Sequence, residues 1–447
     1  MIARGSRGTW SRHRWVRRVM CLVVAQIGAT VVGSVAGAAQ TDSTWREHDR
    51  ALQAARAAND TTAYRAQLGA VYREIGAAPR IATRFAALAL GAHDKAGAAR
   101  WMGALAAMGS ALDSAMLVQY AALEGARARA SLLELRARAT SDVGAPALVF
   151  RLPDPDMISE DIAYDAAHSL FLVSSVHHGG IYAKRIPGES PASVKFNADS
   201  SWGIFALGVD SARGVLWATT SALPMTAHYS ASDSGRSALL RFDLASGASR
   251  ARYMAPDSGA HALGDLTVGA NGAVYVADGL GSGVYVLDSG RKQLRTLVPR
   301  GVLVSPQTPA LSSDGATLFV PDYAIGIAAV NVATGEVSWI AHSDSLALTG
   351  IDGMYRIGHD LIAVQNGLEP NRIVRFTLDP AMRRVVRAST LARGSRALDL
   401  THATMSRGWL YFIRRSGWER VADDGTMREG AAGDGPVVVR VRLAPPR

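Results

Sequence analysis

Cysteine is almost missing from this chain: among 447 residues only Cys21 carries a thiol. One cysteine this close to the start, inside an apolar stretch, leaves the rest of the chain without disulfides, zinc–thiolate sites or a cysteine nucleophile. Charge is sparse, at 19% Asp, Glu, Lys and Arg, and no low-complexity block interrupts the chain. Acidic residues are absent from the first 38 positions, which hold six of the 48 basic side chains: Arg4, Arg7, Arg12, Arg14, Arg17 and Arg18. Taking away these six basic groups and no acidic ones lowers the formal net charge from +10 to +4. The high isoelectric point is therefore partly a property of the first segment. No basic run remains beyond it, so a nucleic-acid partner is not expected.

What the first segment does contain is ordered. The arginines precede an apolar stretch over residues 19–35, which ends in the small residues Ala36, Gly37, Ala38 and Ala39. This order reads as a secretory signal over residues 1–38, cleaved after Ala38, and predicts a periplasmic or secreted protein. A membrane anchor results if the segment stays uncleaved. Arg17 and Arg18 fit a twin-arginine signal only weakly.

From Ser43 to about Thr140 alanine is abundant and Pro79 is the sole proline. Apolar residues fall three and four apart, as at Leu68, Val71 and Tyr72, or Trp101, Leu105 and Met108, which predicts helix. Breaks at 59–60, 76–79, 93–97 and 109–110 divide residues 39–142 into four or five helices. Residues 79–109 resemble a tetratricopeptide-type pair with no second clear copy. Such a region serves as a surface for a protein partner, or else packs against the next domain or dimerises.

From Ala147 the period shortens to that of strands, and the 44 glycines of the chain suit the many turns this requires. One unit recurs six times, beginning near residues 159, 203, 263, 307, 351 and 398. Each copy has an apolar strand, a turn, a second strand and at least one more. Six units of roughly 44–60 residues predict an all-β six-bladed propeller over residues 146–447, following the N-terminal α-helical, tetratricopeptide-like domain. Residues 147–152 and 437–443 are expected to share the sixth blade and close the ring.

In this architecture the start of each first strand and the loop after each second strand line one mouth. Glu160, Asp161, Trp202, Asp265, Gln307, Asp352 and Asp399 are expected there from strand starts. The loops add His177, His178, Asp278, Asp322, Gln365, Asn366, Arg414 and Arg415. Carboxylates converging on one axis repel one another unless a cation or an arginine compensates. Oxygen donors suit calcium, magnesium or manganese, and no histidine or cysteine is expected at the centre. Asp278 and Asp322 also have a plain reading as turn or cap groups, and His177 and His178 as a solvated hairpin. Glu160 and Asp352 are the residues for which a turn explanation is weakest.

The run Ser159-Glu160-Asp161-Ile162-Ala163-Tyr164-Asp165 resembles the opening blade of the gluconolactonase/regucalcin (senescence marker protein) family. The stretch Gly350-Ile351-Asp352-Gly353-Met354 is similar to that family's Asp-Gly-Met segment. The pattern spans residues 147–443 and is specific only around these two motifs. The resemblance implies a metal glutamate at Glu160 and a metal aspartate at Asp352. Ser159-Glu160-Asp161 is also similar to the paraoxonases, six-bladed proteins with a calcium-dependent lactonase activity. Two positions depart: the family's Asn-Gly ligand segment falls on Gln307-Thr308, and its substrate-contacting Asn falls near Gly264, beside Asp265.

The function implied is hydrolysis of a lactone or ester with a divalent ion, calcium first and zinc, manganese or magnesium as alternatives. Glu160, Gln307 and Asp352 would hold the ion, with Asp265 or Asp322 as base. The alternative is a non-catalytic propeller that binds a small ligand or a partner protein. No motif supports a quinone redox role.

Overall fold

The computed structural model describes residues 44–186, 196, 202–394, 399–422, 424–428 and 434–443. The segment read as a signal lies outside these residues. No helix among the described residues is long and apolar enough to cross a membrane.

Six helices come first: α1 (Thr44–Ala57), α2 (Thr61–Ile75), α3 (Pro79–Gly91), α4 (Lys95–Met108), α5 (Ser114–Glu124) and α6 (Ala126–Thr140). Their starts are written in the sequence. Asp60, Asp94 and Asp113 each accept hydrogen bonds from backbone N–H groups of the first turn, and Pro79 opens α3. The expectation of four or five helices falls short of the six among the described residues, because the break between α5 and α6 is a single residue. Gly125, at φ 92°, turns the chain where a residue with a Cβ would be strained. Residues 79–109 fold as the helices α3 and α4, joined by the three residues 92–94; nothing in their geometry confirms the tetratricopeptide likeness.

The remainder is a ring of six sheets around one axis. Blade 1 has strands Ile162–Asp165, Leu170–Ser175 and Gly180–Arg185, with Phe196 bridging Ile181 at its edge. The inner strands of blades 2 to 5 are Gly203–Asp210, Leu263–Val268, Ala310–Leu311 and Ile351–Ile357, each heading a four-stranded antiparallel meander. Blade 6 runs Ala403–Ser406, Trp409–Arg415, Val437–Arg442 and then Ala147–Arg151, so the first strand of the propeller is the outermost strand of its last blade. The expected pairing of the two ends is therefore present.

Strands buried on both faces explain the apolar runs in the second strands, such as Leu170–Ser175 and Val215–Ser221. Each pair of neighbouring blades shares one hydrophobic core, six in all among the described residues, including one between blades 6 and 1 around Phe150, Phe171 and Ile413. A lone blade would leave both faces wet, so burial on this scale requires closure.

The helices lie on the face where the inner strands begin. Ile325 joins the core of Leu68, Val71, Ile75 and Ile81, while Ala347 and Leu368 join that of Trp101, Leu105 and Met108. These propeller residues belong to loops of blades 4 and 5.

Candidate functional site

Where the inner strands begin, five ionisable side chains meet: Glu160, Asp161, Asp265, Asp352 and His402, each no more than 6% exposed. His402 stands at the centre. Its Nε2 is 3.1 Å from Asp265 Oδ1, 3.9 Å from Asp352 Oδ1 and 4.0 Å from Glu160 Oε1, and its Nδ1 is 3.4 Å from Asp161 Oδ1. Thr308 Oγ1 donates to Asp265 Oδ1 at 2.6 Å and lies 3.3 Å from His402 Nε2.

The backbone sets this convergence. Asp161 and His402 hold the same place in blades 1 and 6, since their carbonyls accept from Ser174 and Ile413 one residue beyond the pairs Ile162–Val173 and Ala403–Phe412. Asp265, opposite Ala277, sits in the matching position of blade 3. Asp352 reaches inward by another route, as the extra residue of a bulge between Ile351 and Gly353. Gly353 makes room for Tyr355 beside it: a Cβ there would come within 2.9 Å of the Tyr355 hydroxyl.

Neutral donors fix the carboxylates. The Trp418 indole donates to Glu160 Oε2. Asn366 Nδ2 donates to Asp352 Oδ2 at 2.6 Å and to the Leu400 carbonyl at 2.7 Å, and the Tyr323 hydroxyl donates to Asn366 Oδ1 at 3.0 Å. Asp161 accepts from the backbone N–H groups of Ile162 and Leu207, both at 2.7 Å.

Four carboxylates face one imidazole, and the electrostatics follow. Burial, with Asp352 next to it, holds the Glu160 carboxyl well above the ordinary range despite His402 and Trp418. Burial likewise pushes Asp352 up to about 6, opposed by His402 and reinforced by Asp265. Burial alone would lower His402, but Asp161 and Asp265 outweigh it and the imidazole is pushed well up.

The donor set fits a cation. One ligand atom each from Glu160, Asp352 and His402 lies within 4.8 Å of the others. Asp352 Oδ1 and Gln307 Oε1 are buried acceptors with no hydrogen-bond partner, which costs free energy unless a cation or water meets them. Beyond the cluster, the inner strands enclose a channel of about 340 Å³, into which Asp161, Thr308 and Tyr355 face along with Leu207, Leu266 and Met354.

Of the residues expected at this mouth, Glu160, Asp161, Asp265, Asp352 and Asn366 come together. Others need correction. Asp322, expected as a base, accepts from the N–H groups of Val304, Ser305, Ala324 and Ile325 and closes a loop. Asp278 does the same with Ala262, Leu280 and Gly281, and Asp399 with Ser416 and Gly417. Trp202 bonds Asp233, away from the cluster. Gln307 is fully buried, but its amide nitrogen donates to Ser305 O and Oγ, and the neighbouring Thr308 makes the contacts to Asp265 and His402. His177 bonds the Met225 carbonyl and His178 pairs with Asp154, so neither reaches the axis.

The expectation of no histidine at the centre is overturned by His402. Aligning blade 6 forward from the acidic Asp399 shifts its register by three residues. Counting back from the hairpin at Arg407 and Gly408 instead leaves four strand residues and then His402, as four strand residues separate Asp161 from its own hairpin. Trp418 opens a single 3₁₀ turn, Trp418–Arg420, after the second strand of blade 6, and nothing in the sequence marks it.

No protein-family model and no curated protein matches the chain. Solved structures do resemble its propeller. A luciferin-regenerating enzyme is 12% identical over 68% of this chain and 95% of its own, at a TM-score of 0.46. The PQQ-bound aldose sugar dehydrogenase of Streptomyces coelicolor is 12% identical over 67% and 98%, at 0.45. A gluconolactonase from Xanthomonas campestris is 16% identical over 68% and 96%, at 0.44. At that distance the fold rests on the six blades themselves and the function on the site.

Proposed function

We propose that the chain is an exported hydrolase of a small lactone or ester that works with a divalent ion held by Glu160, Asp352 and His402. The carrying observation is the convergence of their donor atoms within 4.8 Å of one another, beside the unpartnered Asp352 Oδ1. Such an ion supplies Lewis-acid polarisation of the substrate carbonyl. The imidazole moves the preferred ion from calcium toward manganese or zinc, which accept nitrogen readily.

The chain's own groups do the rest. Trp418 and Asn366 orient the two carboxylates, and burial excludes bulk water. Asp265, held by Thr308, takes a proton from the attacking water, whose oxygen bonds the carbonyl carbon. The same proton goes to the leaving alkoxide as the acyl C–O bond breaks.

The test is a screen of lactones and esters with manganese, zinc or calcium added to metal-stripped protein. Hydrolysis should require one of these ions and fall at least about 100-fold in Asp265→Asn, a loss of the size expected for a general base. Hydrolysis that is indifferent to chelation, or absent with every ion, counts against the reading. A non-catalytic binding propeller is then the better one. It is favoured by the position of His402 between Asp161 and Asp265, where an imidazolium offsets charge without an ion.

A further inference from the structure

The hydrogen bonds that aim Asp352 come from two loops, and both loops are built into the helical layer. Asn366, which donates to Asp352, is followed two residues later by Leu368, and Leu368 belongs to the helical core of Trp101, Leu105 and Met108. Tyr323, which holds Asn366 by its hydroxyl, precedes Ile325 by two residues, and Ile325 belongs to the core of Leu68, Val71 and Ile81.

A third link is polar. The buried Arg372 donates through Nη1 to the carbonyl of Met108, the last residue of α4, at 3.0 Å, where a cation also meets the negative end of the helix. Through Nε it donates to Gln365 Oε1 at 2.6 Å, and Gln365 is the residue before Asn366. Gln365 Nε2 in turn donates to the carbonyls of Ala347 and Thr349, just ahead of the strand that carries Asp352.

The loops have no slack. Gly367 N–H donates to the Gly350 carbonyl at 3.0 Å. A Cβ on Gly367 would lie 2.4 Å from Gly350 Cα and 2.8 Å from the Tyr323 ring. Backbones in such contact transmit a displacement rather than absorb it.

We propose that the helical layer is a clamp for the acidic site: Leu368 and Arg372 act as positioning residues that hold the 365–368 loop, so that Asn366 keeps Asp352 aimed at the centre. The clamp itself rests on packing; its consequence for ion binding rests on the ion site proposed above. A helical layer that only covered the propeller would need none of these links to converge on one carboxylate.

The experiment uses the full chain and compares Leu368→Ala, the volume-conserving Leu368→Met and the remote core variant Val286→Ala. Tyr323→Phe, which removes only the hydroxyl on Asn366, serves as a second probe should Leu368→Ala fail to fold. Two readouts are taken: affinity for Mn²⁺ alone, and hydrogen exchange at the Gly367 amide and across 350–353. Leu368→Ala should weaken Mn²⁺ binding about tenfold, as loss of support behind a ligand does, and should speed that exchange. Leu368→Met should restore both, Tyr323→Phe should shift both in the direction of Leu368→Ala, and Val286→Ala should lose thermal stability while moving neither. Exchange in Leu368→Ala or Tyr323→Phe no faster than in Val286→Ala overturns the clamp. Failure of the wild type to bind Mn²⁺ overturns the ion site instead, and the exchange comparison then decides the clamp alone.

Discussion

Asp352 has two demands placed on it, and they conflict. Burial pushes its carboxyl up to about 6 from an ordinary 3.8, so the folded chain binds that proton more tightly than the unfolded chain. Stability attributable to Asp352 therefore falls as pH rises from about 4 to about 6 and is level above it. Asp352→Asn removes this dependence. In urea titrations of ion-free protein near neutral pH, the variant should gain up to about 3 kcal/mol, the equivalent of roughly two pKa units. A variant less stable than wild type there would mean that the carboxylate is already compensated. His402 shows how far single residues could be read beforehand. Glu160 and Asp352 were legible because acidic residues at strand starts have no turn to explain them. His402 was hidden by a register error, and the bulge at Asp352 belongs to a class of irregularity that alternation does not encode.

At the level of the element, the ends of the second strands carry one repeated device. Asp278 and Asp322 each gather backbone N–H groups of the loops around them, and Gln365 does the corresponding work in blade 5 through carbonyls. These residues recur because each blade must tie its incoming loop, which is also why a carboxylate there looks like a site residue in the sequence. Asp322→Ala leaves four N–H groups without their acceptor, that of Ile325 fully buried and the others half-buried. It should cost about 2–4 kcal/mol in urea unfolding, while bound ion per chain stays the same. Loss of the ion with no loss of stability would return Asp322 to the site. Blade number, strand order and the shared sixth blade were all legible, because a period of strands and turns survives in composition. The helix count was not, since Gly125 breaks the pattern in one residue.

For the whole molecule, closure and the site depend on the same ring. Phe150, from the strand that closes blade 6, sits in the core shared with blade 1, which carries Glu160. Phe150→Ala should cost about 3–5 kcal/mol and speed hydrogen exchange at Val438 and Val439, the residues that pair with this strand. Exchange unchanged there would show that the ring holds without its terminal strand. The helical layer adds a second constraint on blades 4 and 5, on the face where the acidic side chains meet. The most direct test of the ion site is elemental analysis of the purified chain, wild type beside Asp352→Ala and His402→Ala. About one divalent ion per wild-type chain, lost in both variants, is the expected result for a site built from these ligands. A wild-type chain that neither carries nor takes up a divalent ion, or variants that retain it, would contradict the assignment of Glu160, Asp352 and His402 as its ligands.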